Sequence, residues 1–225
     1  MAVDFRLYLI TDRRQARGGD LAGAVERALA GGVRAVQLRE KDLTGKELYE
    51  LALALRLLTS RHGARLLIND RVDVALAAGA DGVHLGVGSI PPAEARRLIG
   101  PRGLIGCSAH TLGELEAAEA GGADFATFGP VYATPSKAAY APPVGIGELR
   151  RACAAARIPV FALGGVGTGN VTETLAAGAW GVGTISAVLS APDPGAAARE
   201  IGGRLEAGSV AATERMEGRG KEGTP

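Results

Sequence analysis

The phrases AGGVRAV (30–36), AAGADGV (77–83), EAGGADF (119–125) and AAGAWGV (176–182) are near-copies of one another. Each reads as the end of an Ala-rich helix, a glycine that lets the chain turn, and the start of an apolar strand. A joint from helix to buried strand that recurs along a chain is what a closed parallel barrel needs. Working outward from these joints, β-rich runs stand at Leu7–Thr11, Ala35–Arg39, Arg65–Asn69, Gly82–Leu85, Leu104–Ser108, Phe125–Gly129, Pro159–Gly164 and Gly181–Ile185. Helical spacing fills the gaps at Leu21–Ala30, Gly45–Ser60, Ala93–Leu98, Leu112–Ala120, Ile146–Ala156 and Val171–Ala177. The alternation predicts an α/β protein, a single-domain (β/α)8 TIM barrel over residues 1–206. A doubly wound open sheet is the alternative, weakened because no GxGxxG follows the first run. From Ala207 to Pro225 apolar periodicity is lost and Gly, Glu, Arg and Lys dominate, which predicts a disordered tail.

Composition limits the function classes. Hydrophobic residues make up 47% of the chain and aromatics only 4%, so the core is expected to consist of Ala, Leu, Val and Ile. With 25 basic against 24 acidic residues, no electrostatic footprint for nucleic acid or a membrane surface is expected. Cys107 and Cys153 have no CxxC spacing, so neither a disulfide framework nor a zinc site is suggested. The N-terminus lacks a basic segment followed by a long apolar run, and a soluble cytoplasmic protein is expected. An Ala/Leu-rich helical exterior is compatible with a homodimer.

A barrel of this kind places its active site on the loops after the strands. Gln37-Leu38-Arg39-Glu40-Lys41 follows the second run. Arg39 offers a planar fork and Lys41 a point charge, a pair suited to a diphosphate, although a solvated charged loop would read the same way. After the third run, Asn69 and Asp70 suit a polar ligand and Mg²⁺, or a helix cap. His84 lies within an apolar strand, where a satisfied core histidine is the plainer reading. Ser108 and His110 end the fifth run, and His110 is the better acid–base candidate. The sixth leads into Thr134-Pro135-Ser136-Lys137, a loop that could close as a lid. Gly164-Gly165, Ile185 and Ser186 after the last two runs occupy the usual phosphate position of such barrels.

Read together, QLREK (37–41), INDRVDVALAAGADGVHLG (68–86), GCSAH (106–110), FGPVYATPSK (128–137), LGG (163–165) and IS (185–186) resemble the thiamine phosphate synthase family and its relative, the thiazole tautomerase. The resemblance implies condensation of hydroxymethylpyrimidine diphosphate with thiazole phosphate, giving thiamine phosphate and pyrophosphate. By that analogy Gln37, Arg39, Lys41 and Asn69 would hold the pyrimidine diphosphate and Ser108 the pyrimidine. Asp70, with Ser89, would line a Mg²⁺ site. Thr134, Ser136, Gly165, Ile185 and Ser186 would place the thiazole phosphate, and Lys137 would neutralise the departing diphosphate. Three departures matter: Ser89 stands where the synthase pattern has a metal-binding carboxylate, Thr134-Pro135-Ser136 stands for its TxT with both hydroxyls kept, and Pro130 stands where the tautomerase has a histidine. A tautomerase-like enzyme moving a proton without metal, with His110 or another group as the proton carrier, and a noncatalytic phosphate-binding homologue are the alternatives.

Overall fold

Parallel strands covered by helices must be apolar on both faces, and the chain satisfies this nearly everywhere. In a computed structural model that describes residues 3–134 and 142–221, the strands are β1 Leu7–Ile10, β2 Ala35–Leu38, β3 Arg65–Asn69, β4 Gly82–Leu85, β5 Leu104–Ala109, β6 Phe125–Phe128, β7 Val160–Ala162 and β8 Gly181–Thr184. They form one closed barrel in sequence order, all parallel, with β1 pairing both β2 and β8. All strands except β3 and β5 are buried at every residue. Helices α1 Leu21–Ala30, α2 Gly45–Arg61, α3 Val72–Ala77, α4 Pro92–Ile99, α5 Leu112–Ala120, α6 Gly145–Ala155, α7 Val171–Ala176, α8 Ser186–Leu189 and α9 Pro194–Lys221 follow the strands. Their starts are set locally: Asp20 accepts from the Gly23 amide at 2.8 Å, and Thr44 with Glu47 forms a capping box on α2.

The repeated joints have a structural reason. The aspartate of the second copy, Asp81, accepts from the Leu66 amide of β3 at 2.8 Å and from Arg56 of α2 at 2.5 Å. Its counterpart in the third copy, Asp124, accepts from the Ile105 amide of β5 at 2.7 Å and from Arg96 of α4 at 2.7 Å. At the last joint Trp180 donates its indole N–H to the Phe5 carbonyl at 2.9 Å. Asp81 and Asp124 thus tie the starts of β4 and β6 to β3 and β5 and to α2 and α4, and Trp180 ties the start of β8 to the segment before β1.

The core has two parts. Between strands and helices lies the expected Ala/Leu/Val/Ile layer. Inside the barrel the expectation fails, because Phe5, Tyr8, Phe125 and Phe161 floor the lumen, with the Phe5 and Phe161 rings 5.3 Å apart and Tyr8 and Phe125 5.4 Å apart. Inward glycines such as Gly106 leave space that aliphatic side chains cannot span, and large rings fill it. The expected tail begins inside α9, whose last buried apolar side chain among those described is Leu205. No described helix is long and apolar enough to cross a membrane.

Candidate active site

Side chains on a strand alternate between faces, so the inward positions of β1, β2, β4, β5 and β6 share the lumen above the aromatic floor. There a buried chain of hydrogen bonds runs from Gln37 Nε2 to the Tyr8 oxygen at 3.1 Å and from the Tyr8 hydroxyl to His84 Nδ1 at 3.3 Å. His84 Nε2 lies 3.0 Å from Ser108 Oγ and 3.5 Å from Thr127 Oγ1. His84 is thus a buried histidine with both nitrogens engaged. Burial pushes its pKa down to about 3, with Asp70 opposing that shift and Arg39 assisting it. The Tyr8 phenol is driven well above its usual value, again by burial. A serine beside a histidine suggests a nucleophile and base, but an imidazole that stays neutral to about pH 3 is a weak base. Gly106 makes the arrangement possible, because a Cβ there would lie 2.4 Å from the Phe125 ring and 2.6 Å from His84 Nδ1. The Oε1 of Gln37 is buried with no hydrogen-bond partner among the described residues.

At the end of β3 the backbone of Asp70 has φ 60°, a conformation that costs energy for any residue with a side chain and clusters at functional sites. Its Oδ2 accepts from Asn69 Nδ2 at 2.7 Å, and its Oδ1 accepts from the Ser89 hydroxyl and from the Gly86 amide at 3.4 Å. Ser89 thus lies against the carboxylate it was expected to assist. No cation pairs with Asp70 among the described residues. Nor do the described residues contain a cluster of three or more His, Cys, Asp or Glu that could hold a metal alone. One exposed carboxylate beside a hydroxyl and a carboxamide fits Mg²⁺, which keeps several waters and takes its other oxygens from substrate phosphates.

The charges after β2 divide. Glu40 is 6% exposed and its carboxylate accepts from the Arg13 backbone amide at 3.0 Å and guanidinium at 3.2 Å. Asp42 takes the Arg13 fork at 2.6 and 2.8 Å, and that hydrogen bonding holds its carboxyl well below the usual range. Leu38 packs into the layer beneath the helices. What these leave over are Arg39 and Lys41, neither with an ion-pair partner among the described residues. Arg39 is fixed at its backbone, whose N–H donates to Thr11 Oγ1 at 2.9 Å.

The other half of the rim is made of backbone. Gly164 and Gly165 have φ 91° and 67°, and a Cβ on them would lie 2.5 Å from Pro130 and 2.8 Å from Tyr132. The close approach lets the loop after β6 pair with that after β7, through Val131 N to Leu163 O at 2.8 Å and Tyr132 N to Gly164 O at 3.0 Å. Asn170 staples the β7 loop, donating to the Gly165 carbonyl at 2.9 Å and accepting from the Gly167 amide at 2.9 Å. Ile185 is half-buried, and Ser186 is exposed at the start of α8. Thr134 is half-buried, while Pro135, Ser136 and Lys137 lie outside the described residues.

A barrel whose rim joins unpaired cations and an isolated carboxylate on one side to glycine backbone on the other is a specific pattern, and the sequence matches a known one. The family model described as thiamine monophosphate synthase matches residues 7–188. The chain belongs to that family. A Geobacter sulfurreducens relative, provisionally named a thiamine-phosphate synthase, is 63% identical over 199 residues, 88% of this chain and 93% of its own length. The thiamine-phosphate synthase of Chloroflexus aurantiacus is 46% identical over 199 residues, again 88% of this chain and 92% of that protein. The solved thiamine phosphate pyrophosphorylase from Pyrococcus furiosus superposes with a TM-score of 0.82 at 39% identity, covering 91% of this chain and 96% of that one.

Within this synthase-family barrel the structure gathers Gln37, Asn69, Asp70, Ser89 and Ser108 around the lumen. His110, just after β5, is engaged by Glu114: its amide and Nδ1 both meet that carboxylate, at 2.6 and 3.1 Å. Tyr8 and Thr127 were missed from the sequence. The available signal was their polarity at strand positions in register with other inward residues, since Tyr8 pairs Gly183 and Thr127 pairs Ser108.

Proposed function

We propose that this protein joins hydroxymethylpyrimidine diphosphate to thiazole phosphate, releasing pyrophosphate and thiamine phosphate. The observation that carries the reading is the pair of cations, Arg39 and Lys41, that have no ion-pair partner among the described residues, at the same rim as the carboxylate Asp70. In the reaction the bond from the pyrimidine methylene carbon to the diphosphate oxygen breaks, its electron pair leaving with the diphosphate. The thiazole nitrogen lone pair forms the new carbon–nitrogen bond. No proton moves, so neither a strong base nor a nucleophilic serine is required, in keeping with a buried neutral His84.

The chain's own groups supply position and charge. Gln37, Arg39, Lys41 and Asn69 hold the diphosphate substrate, Ser108 contacts the pyrimidine, and Lys137 meets the leaving group. Thr134, Ser136, Gly165, Ile185 and Ser186 place the thiazole phosphate. Asp70, with Ser89 beside it, is the ligand for Mg²⁺, which when bound would help to neutralise the diphosphate. Leu38 and Glu40 shape this segment from behind. The unit of residues 1–206 carries the activity, in the cytoplasm. Leu53, Leu57 and Leu76, exposed on α2 and α3, are the surface on which a homodimer would form.

The test is a direct assay of the purified protein with both substrates and Mg²⁺, following thiamine phosphate and pyrophosphate. Equal amounts of the two products, abolished by chelator, are expected, and no product at saturating metal and substrates refutes the proposal. The tautomerase alternative is less well supported, since His110 is held by Glu114; proton exchange on a thiazole phosphate without metal would revive it.

A further inference from the structure

We infer that Tyr8 and His84 are positioning residues whose fixed hydrogen-bond polarity presents the Ser108 hydroxyl to the barrel mouth as a donor. The inference deepens the proposed function, and rests on it only for the identity of the ring that Ser108 meets. It follows from counting protons along the buried chain. An amide nitrogen can only donate, so the Tyr8 oxygen, 3.1 Å from Gln37 Nε2, is the acceptor there. The single phenol proton then goes to His84 Nδ1, 3.3 Å away. A neutral imidazole that accepts at Nδ1 carries its proton at Nε2. That proton is donated to Ser108 Oγ at 3.0 Å, with Thr127 Oγ1 a longer second partner at 3.5 Å. With its oxygen accepting from His84, Ser108 has its own proton free to turn away from the histidine. Ser108 is half-buried near the C-terminal end of β5, where that direction leads to the mouth.

The chemical consequence is selection for an acceptor. An aromatic ring nitrogen with a lone pair can take the Ser108 proton, whereas a ring N–H or C–H at the same place cannot. Gly106 supports the arrangement, since any side chain there would displace the His84 ring. The floor of the barrel therefore sets the hydrogen-bond character of its mouth through two residues that touch no substrate.

The test begins with the ¹⁵N spectrum of the intact protein, which has only 3 histidines. His84 is expected to show a protonated Nε2 and a bare Nδ1; a protonated Nδ1 overturns the proposal, whether or not the protein makes thiamine phosphate. Tyr8→Phe should then give mixed tautomers. It should raise the KM for the pyrimidine diphosphate about tenfold, while kcat and the KM for thiazole phosphate move less. His84→Gln, which keeps a donor near the Nε2 position, should retain most of the affinity that His84→Ala loses. Adding Tyr8→Phe to Ser108→Ala should bring no further loss. An unchanged tautomer and KM in Tyr8→Phe also refute it. A wild-type protein that makes no thiamine phosphate, yet shows the expected tautomer, refutes the function and leaves the polarity standing.

Discussion

At the bottom of the barrel Asp81 and Asp124 each meet a guanidinium and a strand amide, Arg56 with Leu66 and Arg96 with Ile105. At the top Asp70 meets, among the described residues, Asn69, Ser89 and the Gly86 amide, on a backbone held at φ 60°. Among the described residues Arg56 and Arg96 at the bottom are engaged, whereas Arg39 and Lys41 at the top have no ion-pair partner. Arg13 pairs with Glu40 and Asp42 at the top as well, so what sets that end apart is the subset Asp70, Arg39 and Lys41, which has no ion-pair partner among the described residues. Conservation of chemistry along a sequence motif says less than this pairing, because an aspartate in a helix-to-strand joint and one after a strand look alike on paper.

Four substitutions test the contrast. Asp70→Asn, which tolerates the left-handed backbone, should lower kcat/KM by about 100-fold or more while leaving Tm unchanged. Equal loss of stability would make Asp70 a structural residue like those below. Gly106→Ala, placed between the two ends, forces a Cβ into Phe125 and His84 and should cost about 3 kcal/mol by denaturant unfolding, with activity falling as well. Asp124→Ala removes the carboxylate that Arg96 and the Ile105 amide share and should cost about 2 kcal/mol, with kcat/KM kept within about twofold. Ser89→Asp should bring the smallest change, a rise of about three- to tenfold in Mg²⁺ affinity by calorimetry, from the second carboxylate it adds. Unchanged affinity would place the metal away from Asp70.

The sequence made the barrel legible because the helix-to-strand joint recurs, and all eight strands stand within a residue or two of their expected ends. Rim residues were legible for the same reason, being the first polar groups after each apolar run. The interior was not. Whether Tyr8 or Leu9 faces the lumen depends on the stagger of strands around the barrel, which no single strand encodes. Glu40 could not be told from Arg39 and Lys41, because its burial depends on Arg13, a residue of another loop. His84 was legible as a buried histidine, but its partners come from β1, β5 and β6 and are brought together only by closure.

We propose that Arg39, Lys41 and Asp70 at the top form a diphosphate site. Calorimetric titration of pyrophosphate with Mg²⁺ into the wild type, Arg39→Ala and Asp124→Ala measures this most directly. Binding should weaken at least tenfold in Arg39→Ala and stay at the wild-type value in Asp124→Ala. Equal binding by the wild type and Arg39→Ala would contradict the account.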